Sequence, residues 1–193
     1  VQEIIEVTLF VTGVLESLRV EYLVGGSLAS SVHGHARSTQ DVDVVADLRM
    51  EHVPPLVAAL KEDFYLDEPA IRDAVTRRST FNIIHLKTLL KVDVFVAGDQ
   101  HSTRRELQRR QAYTLNTNPP EDIIVASPED IIVQKLHWYR LGDHVSERQW
   151  SDAMGVLTVR GKQLDLGYMH DLAVDLGVSD LLVRALEEAG LES

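Results

Sequence analysis

Three stretches decide how this chain is read: Val24-Gly25-Gly26-Ser27, then Arg37-Ser38-Thr39-Gln40-Asp41-Val42-Asp43-Val44-Val45, then Leu90-Lys91-Val92-Asp93-Val94-Phe95-Val96. Tyr22-Leu23-Val24 is a short apolar run that ends at a glycine pair, which predicts a strand and a turn, with Ser27 opening a helix through about Val32. Residues two apart on a strand share a face, so Asp41 and Asp43 project together from the strand that begins there, and Asp93 holds a comparable place in the later run. Converging carboxylates raise one another's pKa unless cations neutralise them. Mg2+ or Mn2+ is the natural partner: magnesium takes hard oxygen ligands, keeps waters and completes its shell with substrate phosphates. Two such ions polarise an attacking hydroxyl and stabilise a leaving pyrophosphate. Gly25 and Gly26 let backbone amides approach a phosphate, the helix after them turns its positive end toward it, and Ser27 adds a hydroxyl donor. Arg37 either contacts phosphate or fixes the loop by pairing with an acid.

Each pattern alone is ordinary. Gly-Gly-Ser is usually a turn, Asp-x-Asp a solvated strand end, and Lys-x-Asp an edge strand with its polar residues outward. Their order carries the reading: strand, turn, helix, loop, acids opening a strand, then an acid inside a later strand. The expected chemistry is transfer of part of a nucleoside triphosphate, with Asp41, Asp43 and Asp93 as catalytic and metal-binding residues.

At 193 residues, 45% hydrophobic and 25% charged, the chain has an ordinary globular composition and enough length for a substantial core. It contains no cysteine, which excludes disulfides and thiolate metal sites within it. No apolar run reaches membrane-span length, and the N-terminal Val1-Gln2-Glu3-Ile4-Ile5 lacks a basic segment, so a cytoplasmic protein with no membrane partner is expected. A net charge of −11 argues against non-specific coating of nucleic acid.

Helical spacing runs from Glu3 to Leu18, and Glu51 to Lys61 suits a helix with Pro54-Pro55 in its first turn. Phe81 to Leu86 and Leu90 to Val96 predict an antiparallel hairpin, and Ile123 to Val125 a further strand. Ser127-Pro128-Glu129-Asp130 has the cap, proline and acids of a helix start, and everything beyond it reads as helix. The expected class is α/β (α+β): a small mixed or antiparallel sheet with flanking helices over 1–125, then a C-terminal helical part over 126–193.

The order of motifs resembles the nucleotidyltransferase superfamily that shares the DNA polymerase β catalytic core, over about residues 20 to 96. Within it, the chain is similar to AbiEii-type nucleotidyltransferases, some of which are toxins of toxin–antitoxin pairs. The matching residues are Gly25-Gly26-Ser27-Leu28-Ala29, Arg37 to Asp43, Lys91-x-Asp93, Lys135-Leu136 and Arg148-x-Trp150-x-Asp152. The resemblance implies that Asp41 and Asp43 bind metal, that Asp93 completes the site as general base, and that Lys135 contacts the triphosphate. It further implies a nucleotide role for Lys91 and for Asp152, which orients triphosphate or base. The implied partners are an NTP donor, an RNA or protein acceptor, and a cognate antitoxin or toxin. The alternative is a non-catalytic nucleotide- or partner-binding module of the same fold.

Arg104, Arg105, Arg109 and Arg110 form a basic helical stretch, read either as a solvated face or as a surface that steers RNA or pyrophosphate. His33 and His35 are expected in the loop, and Trp138, Tyr139 and Trp150 in the core of the C-terminal helices.

Overall fold

A computed structural model describes residues 2–35 and 38–191 of the chain. It forms two compact units: Val1–Gly25 with Ser38–Val125, and Gly26–Arg37 with Ala126–Ser193.

The first unit is built on a seven-stranded mixed sheet, β1 (Tyr22–Val24), β2 (Asp41–Ala46), β3 (Phe64–Tyr65), β4 (Thr80–His85), β5 (Lys91–Val96), β6 (Gln111–Leu115) and β7 (Glu121–Val125), in the order β3-β4-β5-β2-β1-β7-β6. β2 runs parallel to β5, and β1 parallel to β7; the other neighbours are antiparallel. Along β2 and β5 the alternation is strict: Val42, Val44, Ala46, Val92, Val94 and Val96 are buried, and the residues between them are half-buried or exposed. Four helices belong to this unit among the described residues: α1 (Gln2–Ser17), α3 (Val53–Leu60), α4 (Glu68–Arg77) and α5 (His101–Arg109). The apolar spacing of α1 buries Ile4, Val7, Val11 and Leu15, while Phe10 stacks on Phe64 at 5.6 Å between ring centroids. From the same helix Glu16 accepts a 2.5 Å hydrogen bond from the Tyr22 hydroxyl on the sheet. Pro54 and Pro55 fall in the first turn of α3, where the missing N–H groups need no partner. Asp67 caps α4 by accepting from the Ala70 amide at 3.1 Å.

The second unit is helical: α2 (Gly26–His33), α6 (Pro128–Leu141), α7 (Glu147–Arg160), α8 (Leu166–Asp175) and α9 (Ser179–Glu188). Ser127 caps α6 through the Asp130 amide at 3.1 Å. The Ser127 hydroxyl donates to one carboxylate oxygen of Asp130 at 2.5 Å and Tyr168 donates to the other, which fixes α8 on α6 through buried polar groups. Within this unit α2 packs on α6 and α7. The contact is close: a Cβ at Gly34 would lie 2.8 Å from the Val156 nitrogen and 2.9 Å from the Gly155 carbonyl carbon, so only glycine fits.

His33 ends α2 and is buried, which corrects its placement in a loop. Its Nε2 lies 2.7 Å from the Ala126 carbonyl and its Nδ1 2.9 Å from Arg160 Nη2. A guanidinium only donates, so Nδ1 accepts and Nε2–H donates to the carbonyl. Burial and the nearby Arg160 charge pull this imidazole below its ordinary pKa and keep it neutral. Trp138 is exposed rather than core, because its side of α6 faces solvent. Tyr139 is buried as expected, and Trp150 is half-buried against it at 5.3 Å with the Arg184 guanidinium 4.3 Å from its ring centre.

The basic stretch of α5 is tied into its own unit. Arg104 reaches the nearly buried Asp47 at 2.9 Å and Asp99 at 3.0 Å, and Arg110 reaches Glu21 at 2.9 Å. Burial raises the Asp47 pKa, but the Arg104 hydrogen bond and the charges of Arg104, Arg78 and Arg49 outweigh it and hold the carboxyl below its ordinary value.

Candidate active site

The carboxylates stand on the polar face of the β2–β5 pair. Parallel pairing sets Asp43 directly opposite Asp93 and Asp41 opposite Lys91. Neighbouring strands lie about 4.8 Å apart, so these four side chains emerge from a small square of sheet. Lys91 Nζ is 2.7 Å from Asp93 Oδ2. Its hydrogen bond to Asp93, then the charges of Asp93, Asp41 and Asp43, raise the Lys91 pKa against a smaller desolvation effect. Thr39 donates its hydroxyl to Asp41 Oδ1 at 2.7 Å and so orients that carboxylate. At the end of β1, the Gly25 amide donates to the Asp43 carbonyl at 2.9 Å, which fastens the glycine turn to the acid-bearing strand.

Among the described residues, no set of three or more His, Cys, Asp or Glu side chains is drawn up to hold a metal ion. The donor chemistry nonetheless fits magnesium, which is held by one or two carboxylates and takes its remaining oxygens from water and phosphate. Asp41 and Asp43 supply two such carboxylates from one strand face, and Asp93 is engaged by Lys91.

A second cluster lies in the helical unit. Gly26, the first residue of α2, has a φ of 55°, a left-handed conformation that favours glycine. Ser27 follows it, and its Oγ lies 3.5 Å from Lys135 Nζ. Lys135 Nζ pairs with Asp152 Oδ2 at 2.9 Å, and both side chains are only 6% exposed. The structure thus brings Ser27, Lys135 and Asp152 together in one unit and Asp41, Asp43, Lys91 and Asp93 together in the other. Arg37 lies outside the described residues. Two residues at the carboxylates were missed in the sequence. Thr39 had a signal, a hydroxyl two residues before Asp41; Asn82, opposite Asp93 on β4, had none, because its place depends on register.

No protein-family model matches the chain, and no curated protein matches it in sequence. Solved structures do match it. A crystal structure of an antigenic nucleotidyltransferase-like protein from Paracoccidioides brasiliensis superposes with a TM-score of 0.52 at 19% identity, over 94% of this chain and 91% of that one. The fold is that of nucleotidyltransferase-like proteins. The solution structure of the antibiotic-resistance factor ANT(2'')-Ia matches at TM-score 0.51 and 12% identity, over 93% and 94% of the two chains. The lincosamide antibiotic adenylyltransferase LnuA, solved with lincomycin, gives 0.49 at 13% identity, over 78% and 94%. Among the described residues, no helix is long and apolar enough to cross a membrane.

Proposed function

We propose that the protein is a metal-dependent nucleotidyltransferase that moves an NMP group from an NTP to a hydroxyl acceptor. The observation that carries this reading is the register of β2 on β5, which sets Asp43 beside Asp93 with Asp41 on the same face. Asp41 and Asp43, joined by Asp93, would hold Mg2+ or Mn2+, which when bound would neutralise the phosphates and the leaving pyrophosphate. Asp93 accepts the acceptor's hydroxyl proton. Gly25, Gly26, Ser27 and Arg37 are assigned to phosphate contacts, and Lys91, Lys135 and Asp152 to the nucleotide. The buried Lys135–Asp152 pair supports a positioning role for Asp152, since a carboxylate bonded to the ammonium fixes where that ammonium points.

The acceptor is an RNA end, a protein or a small hydroxylated molecule, and the AbiEii-like motifs place a toxin–antitoxin pair among the contexts to test. A toxin that modifies RNA slows growth on expression and labels RNA from labelled NTP. A protein-modifying counterpart labels a partner protein instead. Isothermal titration with Mg2+ and each NTP tests the donor half: wild type binds at least one NTP in a Mg2+-dependent way, and Asp43→Ala does not. No binding by wild type, together with no effect of Asp43→Ala, removes the reading. Nucleotide bound without turnover over a broad acceptor panel replaces it with a non-catalytic binding module.

A further inference from the structure

Lys91 stands apart from the other cations in the first unit because it belongs to the carboxylate square itself. It lies two residues before Asp93 on β5, so both side chains emerge on one face. The residue opposite Lys91 is Asp41, and the residue opposite Asp93 is Asp43. Across the β4–β5 pair Asp93 meets Asn82, a neutral amide. The ammonium therefore neutralises part of a square whose other three corners are acids, and its 2.7 Å contact occupies Asp93 Oδ2, a donor oxygen that a metal would use. Lys91 is itself 46% exposed while Asp93 is 17% exposed, and a partly exposed pair of this kind stabilises little. Exchange for a divalent ion with twice the charge is correspondingly easy.

We propose that Lys91 is a built-in counter-ion of the carboxylate site, holding Asp93 in the nucleotide-free protein and competing there with the divalent metal that arrives with the nucleotide. The proposal rests on the nucleotidyltransferase reading and deepens it. It makes Lys91 a positioning residue with two successive partners: Asp93 before metal binds, and a phosphate oxygen once the ammonium is released.

The test is Mn2+ binding followed by electron paramagnetic resonance, without nucleotide and then with a non-hydrolysable NTP analogue. Wild type, Lys91→Met, Lys91→Gln and Lys87→Met are compared, the last removing a charge from the exposed β4–β5 turn. The two Lys91 variants are expected to bind Mn2+ alone roughly three- to tenfold more tightly than wild type, with Lys87→Met unchanged. With the analogue present the advantage should shrink or reverse, since a phosphate partner has been lost. Unchanged or weaker Mn2+ binding in both Lys91 variants overturns the counter-ion role, and so does an equal gain in Lys87→Met. If wild type still binds Mn2+ with the analogue in those cases, the nucleotidyltransferase reading stands without it. If neither wild type nor the Lys91 variants bind Mn2+ with or without analogue, both fall.

Discussion

Adjacent glycines at the turn have different jobs. Gly26 sits at a φ of 55°, so Gly26→Ala should cost about 1–2 kcal/mol, read by urea denaturation. A Cβ on Gly25 meets only Leu23 Cδ1 at 3.9 Å, ordinary contact distance. Gly25→Ala should therefore keep wild-type stability yet lose NTP affinity, because the space it fills is the space a phosphate needs. A Gly25→Ala protein that binds NTP normally argues against phosphate approach at this turn. At the Lys135–Asp152 pair, Asp152→Ala leaves a buried ammonium without its carboxylate and should cost about 3–5 kcal/mol. The double change Lys135→Met with Asp152→Leu should recover most of that in the same urea experiment; additive losses would mean that the pair is not coupled.

Individual elements were legible where a local signal wrote them. The cap and proline of α6, the prolines of α3 and the β4–β5 hairpin all lie where residue chemistry puts them. The strand β6 was missed: four of its five residues are exposed, so it has no apolar alternation, and its pairing with β7 is a tertiary fact. Helix α2 carries a pH-dependent element at its end. The ordinary histidine pKa is 6.5, and that of His33 is lowered in the folded protein. Between the folded value and 6.5 the unfolded chain binds the extra proton, so the stability contributed by neutral His33 is complete above 6.5 and is lost as pH falls through the folded value. The thermal midpoint should drop as pH is lowered from 7.5 to 5. His33→Gln, which keeps a donor for the Ala126 carbonyl, should show a lower midpoint with a flatter dependence over that range. Parallel curves would assign the acid sensitivity to another group.

For the molecule as a whole, the mixed sheet and the helical second part were visible in the order of apolar runs. Placing residues 26–37 with the C-terminal helices was not, because it depends on the close approach permitted by Gly34. At the candidate site, the placement of Asp41 and Asp43 on one strand face was legible because strand periodicity and an Asp-x-Asp spacing are local. The direct opposition of Asp43 to Asp93, the hold of Lys91 on Asp93 and the hydrogen bond from Thr39 required register and side-chain geometry. Of the arginines read as solvated or RNA-steering, Arg104 in α5 satisfies Asp47 and Asp99 and Arg110 just past its end satisfies Glu21, so an acidic chain spends part of its positive charge on its own fold. The central claim is that the β2–β5 carboxylates transfer a nucleotide. Incubating the protein with each α-32P-labelled NTP, Mg2+ and total cell extract measures it most directly. Wild type should place label on one class of molecule from at least one NTP, and label should vanish when Mg2+ is chelated or when Asp43→Asn replaces wild type. Equal labelling by Asp43→Asn, or no labelling from any NTP, would contradict it.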